Sequence, residues 1–287
     1  MASKMTEMAK LCKELIPALI DGYVDMPWMK ILDDALEHND RILLVGHCGV
    51  GKTSSVEQLA ARENRALRRV NLNGQTTISD LVGQWIAKDG ETVWVDGILP
   101  QAMKNGHWLI LDEIDFAQPE VLAVLHPVLE DCGYLVLQEK DGEIVRPERG
   151  FRVVGTANSI GADADDRGLY QGTGVMNEAF LDRWSTVVKV KWPPQEIEAT
   201  ILMKRVPGLP ASVAALIVRV ANEVRASFDK RDVFTTFSPR KCLQWADKSL
   251  RYGNLGDAAK VTILNKLADE DRKVVGGIIQ RWTGESL

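Results

Sequence analysis

Eight consecutive residues constrain this chain more than any others. Gly46-His47-Cys48-Gly49-Val50-Gly51-Lys52-Thr53 is a full G-x-x-x-x-G-K-T, set directly after the apolar run Ile42–Val45 and before a helix-like segment that opens at Ser54. A strand, a glycine-rich turn and a helix in that order aim backbone N–H groups at an anion, because a helix N-terminus carries unpaired donors and partial positive charge. Lysine at the seventh place reaches β- and γ-phosphates, and the threonine hydroxyl that follows suits Mg2+. Gly46 through Ser54 are therefore expected to line a nucleotide, with Thr53 also a metal ligand.

Short apolar runs of strand type continue beyond Ile42–Val45, at Ala66–Leu72, Trp108–Leu111, Phe151–Val154 and Val187–Val190. Helix-like segments such as Ser54–Asn64 and Pro119–Glu130 lie between most of them. This alternation predicts crossover connections and an α/β fold on a parallel sheet. Two segments interrupt it, around Asp89-Gly90 between Trp85 and Trp94 and around Asp141-Gly142 between Leu135 and Val145. Both predict inserted β-hairpins, since Asp-Gly supplies the positive φ of a tight turn. After Pro193-Pro194 the periodicity turns helical, with Val213, Leu216, Ile217, Val220 and Val224 on one face. Before the first strand, Leu11, Leu15, Ile16, Leu19 and Ile20 recur at helical spacing up to a break near Pro27. The expected division is a helical lead-in over 1–39, an α/β core over 40–192 and a helical lid over 193–287, leaving no segment for a substrate domain. Such a chain is expected to act on another protein.

The strand Trp108–Leu111 ends in Asp112-Glu113. Asp112 is expected to hold Mg2+ and Glu113 to orient or deprotonate an attacking water; an acid at that place also serves as a helix N-cap, the reading given to Asp115. Phe151–Val154 runs toward Asn158 at the carboxyl end of a strand, where open parallel sheets bind ligands. That amide either meets the γ-phosphate or its water, or satisfies a turn. Arg183 and Arg240 each carry the planar fork of donors that suits a phosphate in transfer, although either alone also fits a surface ion pair.

The formal net charge of −5 argues against a protein whose main task is neutralising phosphates along a duplex. The balance is uneven: residues 1–192 hold 20 basic and 29 acidic side chains, and residues 193–287 hold 15 and 11. The four cysteines, Cys12, Cys48, Cys132 and Cys242, are scattered singly without zinc-site spacing. With no membrane-length apolar run and no secretory leader, a cytoplasmic location is expected. The four histidines are dispersed, so no metal-insertion site is expected in this chain.

In order, these elements resemble the AAA+ ATPases, and within them the MoxR branch, whose members carry hairpins in these two places. The chain is also similar to the CobS-like ATPase subunits of aerobic cobalt chelatases. That likeness is carried by Arg69-Val-Asn-Leu-Asn with Ile78-Ser-Asp-Leu-Val-Gly, by Asp96-Gly-Ile-Leu-Pro100, by Gly168-Leu-Tyr-Gln-Gly-Thr173 with Met176 to Trp184, and by Ser238-Pro-Arg240 with Gln244-Trp-Ala246 and Leu264-Asn-Lys266. The resemblance implies a hexameric ring with ATP between subunits, Arg183 as a finger reaching the neighbour's γ-phosphate, Arg240 as the lid's sensor arginine and Asn158 as the core's sensor. It places the adenine near Tyr23–Trp28. It further implies a partner bearing a von Willebrand factor A domain and, for a chelatase, a large porphyrin-binding subunit. CbbQ/NorQ-type and phage CobS-like relatives share the motor and serve other clients. A nucleic-acid translocase is a further reading, with Lys88, Lys140, Arg146, Arg149 and Arg152 in or near the hairpins; a nucleotide-gated scaffold with little turnover is another, disfavoured by Glu113.

Overall fold

A computed structural model describes residues 13–160 and 176–285. They form two compact units, one of residues up to 19, 27–46 and 51–190, the other of residues 20–26, 47–50 and 191 onward. The Gly168–Thr173 motif lies outside the described residues.

The first unit is α/β. In chain order it contains α1 (Met29–Glu37), β1 (Ile42–Val45), α2 (Lys52–Arg62), β2 (Leu67–Asn71), α3 (Ile78–Val82), β3 (Gly83–Lys88), β4 (Glu91–Asp96), α4 (Ile98–Asn105), β5 (Trp108–Asp112), α5 (Pro119–Ala123), β6 (Leu135–Leu137), β7 (Glu143–Val145), β8 (Arg152–Ala157), α6 (Glu178–Leu181) and β9 (Thr186–Lys189). Five strands form one parallel sheet in the order β2-β5-β8-β1-β9. β5 is buried along its whole length, as a strand covered on both faces must be. The carboxyl ends of β5, β8 and β1 are therefore adjacent.

Both hairpins form where the Asp-Gly pairs predict. β3 pairs with β4 around Asp89 (φ 54°) and Gly90 (φ 84°), and β6 pairs with β7 across a connection that ends in Asp141 (φ 53°) and Gly142 (φ 71°). The indole N–H of Trp85 donates to the carbonyl of Glu139 at 2.7 Å, joining one hairpin to the other. Lys104 on α4 reaches Asp96 and Glu143, each at 2.8 Å, so the helix is tied to both.

Two sequence expectations fail for the same reason, a proline. The lead-in is not helical over Leu15–Ile20, because Pro17 lacks an N–H and disfavours helical geometry in the residue before it. Its carbonyls are used elsewhere: Leu15 accepts from the Leu67 N–H at 3.0 Å and Ala18 from Gln58 Nε2 at 3.0 Å. The helix expected over Pro119–Glu130 stops at Ala123. Pro127 would set its ring against the carbonyl four residues back, and the chain continues in three-residue turns such as His126 N–H to Ala123 O, 3.2 Å.

The second unit is helical: α7 (Gln195–Arg205), α8 (Ala211–Asp229), α9 (Pro239–Tyr252), α10 (Leu255–Thr262) and α11 (Asp269–Thr283). Ile217, Val220 and Val224 of α8 are fully buried with Phe237, Trp245 and Ile279, while Val213 and Leu216 pack at the margin. Arg225 lies inside this core, bonded to both carboxylate oxygens of Glu198 at 2.7 Å and to the Phe237 carbonyl at 2.8 Å.

Candidate active site

The phosphate-loop motif leaves β1 at Gly46, whose N–H donates to the Ala157 carbonyl at 3.1 Å. A Cβ here would stand 2.3 Å from the Val190 carbonyl oxygen, so the backbone approach admits only glycine. Gly51 has φ 100°, again a glycine conformation, and α2 starts at the next residue. The Ser54 and Ser55 hydroxyls donate to the Gly51 carbonyl at 3.1 and 2.8 Å, which fixes the first turn.

Lys52 is buried, and its ammonium donates to the Gly46 carbonyl and to Oδ1 of Asn158 at 3.1 Å. Asn158 immediately follows β8, so a residue 106 places distant in sequence is delivered to the lysine by sheet order alone. One strand further, Asp112 ends β5. Its Oδ1 accepts from the Thr53 hydroxyl at 2.9 Å and from the Thr156 hydroxyl, and its Oδ2 accepts from the Arg69 guanidinium. Arg69 also reaches Glu57 at 3.4 Å, and burial raises the Glu57 pKa against the pull of that arginine.

The Thr53 hydroxyl and the Asp112 carboxylate are hard oxygen donors already in contact. Mg2+ is typically held by one or two protein oxygens, with phosphates and water completing its octahedron, so this pair fits the ion.

Glu113 adopts φ 58° and ψ 45°, a left-handed conformation uncommon outside glycine, and its N–H donates to Thr156 Oγ1 at 3.1 Å. Asp115 is not the helix cap expected for it. It is 2 % exposed, and its Oδ2 accepts the N–H groups of Asn158 and Ser159 at 3.0 and 3.3 Å. Burial raises its pKa, opposed by those bonds. Sequence reasoning missed this tie between β5 and β8; the available signal was a further acid three residues after Asp112, set off from the Asp112-Glu113 pair by an apolar residue.

Arg183 is not gathered with these groups. It follows α6, which is capped by the Asn177 side chain on the Ala179 N–H at 2.8 Å. Its Nε donates to Glu130 at 3.0 Å and its Nη1 to the Ala179 carbonyl.

The loop's central residues, His47 to Val50, pack within the second unit. The His47 imidazole stacks on Trp192 with centroids 5.0 Å apart and planes at 7°, and Trp192 carries the Arg225 guanidinium 4.5 Å from its ring centre. Cys48 is exposed and Val50 buried. Gly49 is pressed against α9, where an added Cβ would meet the Ser238 Cβ at 2.9 Å and the Arg240 Cβ at 3.5 Å. Ser238 caps that helix by accepting from the Lys241 N–H at 3.3 Å, which places Arg240 in its first turn.

Residues 41–183 match the AAA domain of the dynein-related subfamily, and residues 198–280 match the CbbQ/NirQ/NorQ C-terminal domain. Over 258 residues the chain is 38 % identical to the aerobic cobaltochelatase subunit CobS of Sinorhizobium sp., covering 87 % of this chain and 77 % of that one. The chain belongs to the MoxR-like AAA+ ATPases. This AAA+ chain is also 28 % identical to protein NorQ of Paracoccus denitrificans, covering 87 % of itself and 91 % of NorQ. In fold it is similar to the RuvB Holliday junction branch migration motor of Thermotoga maritima, with a TM-score of 0.52, 16 % identity and coverage of 90 % and 75 % of the two chains. The α/β core with two inserted hairpins and the helical C-terminal region are those of an AAA+ ATPase. Among the described residues no helix is long and apolar enough to cross a membrane.

Proposed function

We propose that the chain is the ATP-hydrolysing subunit of a ring, a hexamer by the family pattern, that remodels a partner complex, and that its client is a cobalt-inserting chelatase. One observation carries the ATPase part: Lys52, Thr53, Asp112 and Asn158 converge, by direct hydrogen bonds, at the adjacent carboxyl ends of β1, β5 and β8.

Lys52 offers its ammonium to the terminal phosphates, and the N–H groups of the Gly46–Ser54 segment cradle them. Thr53 and Asp112 would hold Mg2+, which spreads the charge of the phosphate oxygens. Glu113 orients the attacking water and takes its proton, while Asn158 holds the water or the γ-phosphate. Arg183 acts in trans on the neighbour's γ-phosphate, and Arg240 acts from the lid. The Arg183–Glu130 pair does not oppose this. A half-exposed pair contributes about 0–1 kcal/mol, less than a charge-assisted bond to phosphate in a closed interface.

The 38 % sequence identity to CobS supports the chelatase client, and a partner with a von Willebrand factor A domain follows from the family pattern. A second reading, a remodelling ATPase for another client, is favoured by the CbbQ/NirQ/NorQ match over residues 198–280.

Purified protein with Mg2+ should release phosphate from ATP, and Lys52→Ala and Glu113→Gln should abolish release; unchanged turnover in both would sink the site assignment. Cobalt insertion into a corrin ring on addition of chelatase partner subunits separates the two clients. Turnover stimulated by DNA in a salt-sensitive manner would instead mark a translocase.

A further inference from the structure

Thr156 is 1 % exposed and belongs to β8, one residue beyond the register pair Leu111–Gly155 that aligns β8 with β5. Its side chain therefore meets the end of β5 at Asp112. The hydroxyl has one proton to give and two lone pairs to accept with. The proton goes to Oδ1 of Asp112, and one lone pair takes the backbone N–H of Glu113 at 3.1 Å. A single oxygen thus contacts both residues of the Asp112-Glu113 pair, one through its side chain and the other through its backbone.

The second contact falls where the chain is conformationally expensive. Glu113 at φ 58° stands in the left-handed region that an L side chain disfavours, and a hydrogen bond on its N–H is of the same order as that cost, so this bond helps to hold the turn. A relaxed backbone would swing the Glu113 carboxylate away from its present direction.

We propose that Thr156 is a positioning residue for hydrolysis, fixing the aim of Glu113 and Asp112 with one hydroxyl. This rests on the reading of those two acids as water-orienting and metal-holding groups. The hydroxyl is committed to the two acids, so its removal acts on turnover and spares nucleotide binding.

The test compares Thr156→Val, which keeps the branched shape and removes the hydroxyl, with Thr156→Ser, which keeps the hydroxyl. In the valine variant, ATP binding measured in EDTA stays within about twofold, while kcat falls about 10- to 100-fold, the loss typical of a misplaced catalytic group. Hydrogen exchange of the peptide containing Glu113 speeds up as its N–H loses the acceptor. Serine restores both readouts to within about threefold of the parent, on the same argument of geometry. Should Thr156→Val fail to fold, Thr156→Cys, whose thiol is only a weak donor and acceptor, takes its place with the same readouts. Parental kcat in the hydroxyl-less variant, or a serine variant as slow as valine, overturns the proposal. Glu113→Gln measured alongside separates the two failures: if it loses turnover while Thr156→Val does not, the roles of the acids stand and only the clasp falls. If Glu113→Gln turns over normally, the reading of the acids falls and the proposal with it.

Discussion

The ammonium of Lys52 and the amide oxygen of Asn158 are joined across 3.1 Å. One residue opens the helix after the phosphate loop, the other directly follows the neighbouring strand, and each fixes the other's direction. A charge-assisted bond of this kind contributes about 1.5–3 kcal/mol, enough to keep a four-carbon side chain extended into the site. Phosphate oxygens offer the ammonium a stronger acceptor, so nucleotide binding would release Asn158 to a new partner.

Breaking the pair from either end should therefore have unequal effects. Lys52→Ala should remove measurable ATP binding. Asn158→Ala should leave the dissociation constant within about threefold and lower phosphate release about 100-fold, the size of effect seen when one polar stabilising group is lost. Binding of a fluorescent ATP analogue together with phosphate release measures both, and equal losses in the two variants would contradict this division of roles.

Arg183 should behave as a residue of the neighbouring site. Arg183→Ala should bind nucleotide normally and lose hydrolysis by about 1,000-fold or more, as arginine fingers do. Mixing it with Lys52→Ala should recover part of the activity, because some mixed interfaces then combine an intact loop with an intact arginine. No recovery at any mixing ratio argues against action in trans.

The ion pair of Arg225 and Glu198 is buried on both sides, at 5 % and 0 % side-chain exposure. Arg225→Met strands a carboxylate in an apolar core and should cost about 3–5 kcal/mol, whereas replacing both partners with apolar residues of similar volume should recover most of the loss. Urea unfolding of the two variants is the measurement. Equal stability in the single variant would show that water reaches Glu198.

Acid sensitivity should trace in part to His107. It is 4 % exposed, accepts the Arg68 Nε–H at 3.2 Å through Nδ1, and has its pKa lowered by burial and then by the Arg68 charge. The unfolded chain, with an ordinary imidazole near 6.5, takes up the proton first. Stability is thus fully present above that pH and declines as pH falls through it toward the folded value. His107→Gln should flatten this part of the curve of melting temperature against pH; an unchanged slope removes His107 as its source.

Much of this molecule could be read from its residues because the decisive signals are local. The alternation of apolar runs and helical segments gave the sheet, Asp89-Gly90 and Asp141-Gly142 gave the hairpins, and the G-x-x-x-x-G-K-T gave Lys52 and Thr53. Prolines were the blind spot, since apolar spacing around Pro17 and Pro127 is helical while the backbone there is not. The ties made by Thr156 and Asp115 were also hidden. Both act between strands distant in sequence, and neither residue type is unusual at a strand end. Packing placed His47 on Trp192, a contact between residues far apart in the chain that no spacing argument reaches.

The Trp85 indole bonded to the Glu139 carbonyl gives the two hairpins a shared mechanical fate. With Lys104 bridging Asp96 on one and Glu143 on the other, a tilt of either hairpin strains contacts made by its companion. A load applied at either tip is carried into α4, whose Met103 carbonyl also accepts the Glu148 N–H at 2.9 Å in the stretch leading to β8. β8 runs directly into Asn158, so a pull on either arm has a continuous route through covalent chain and paired side chains to the residue bonded to Lys52.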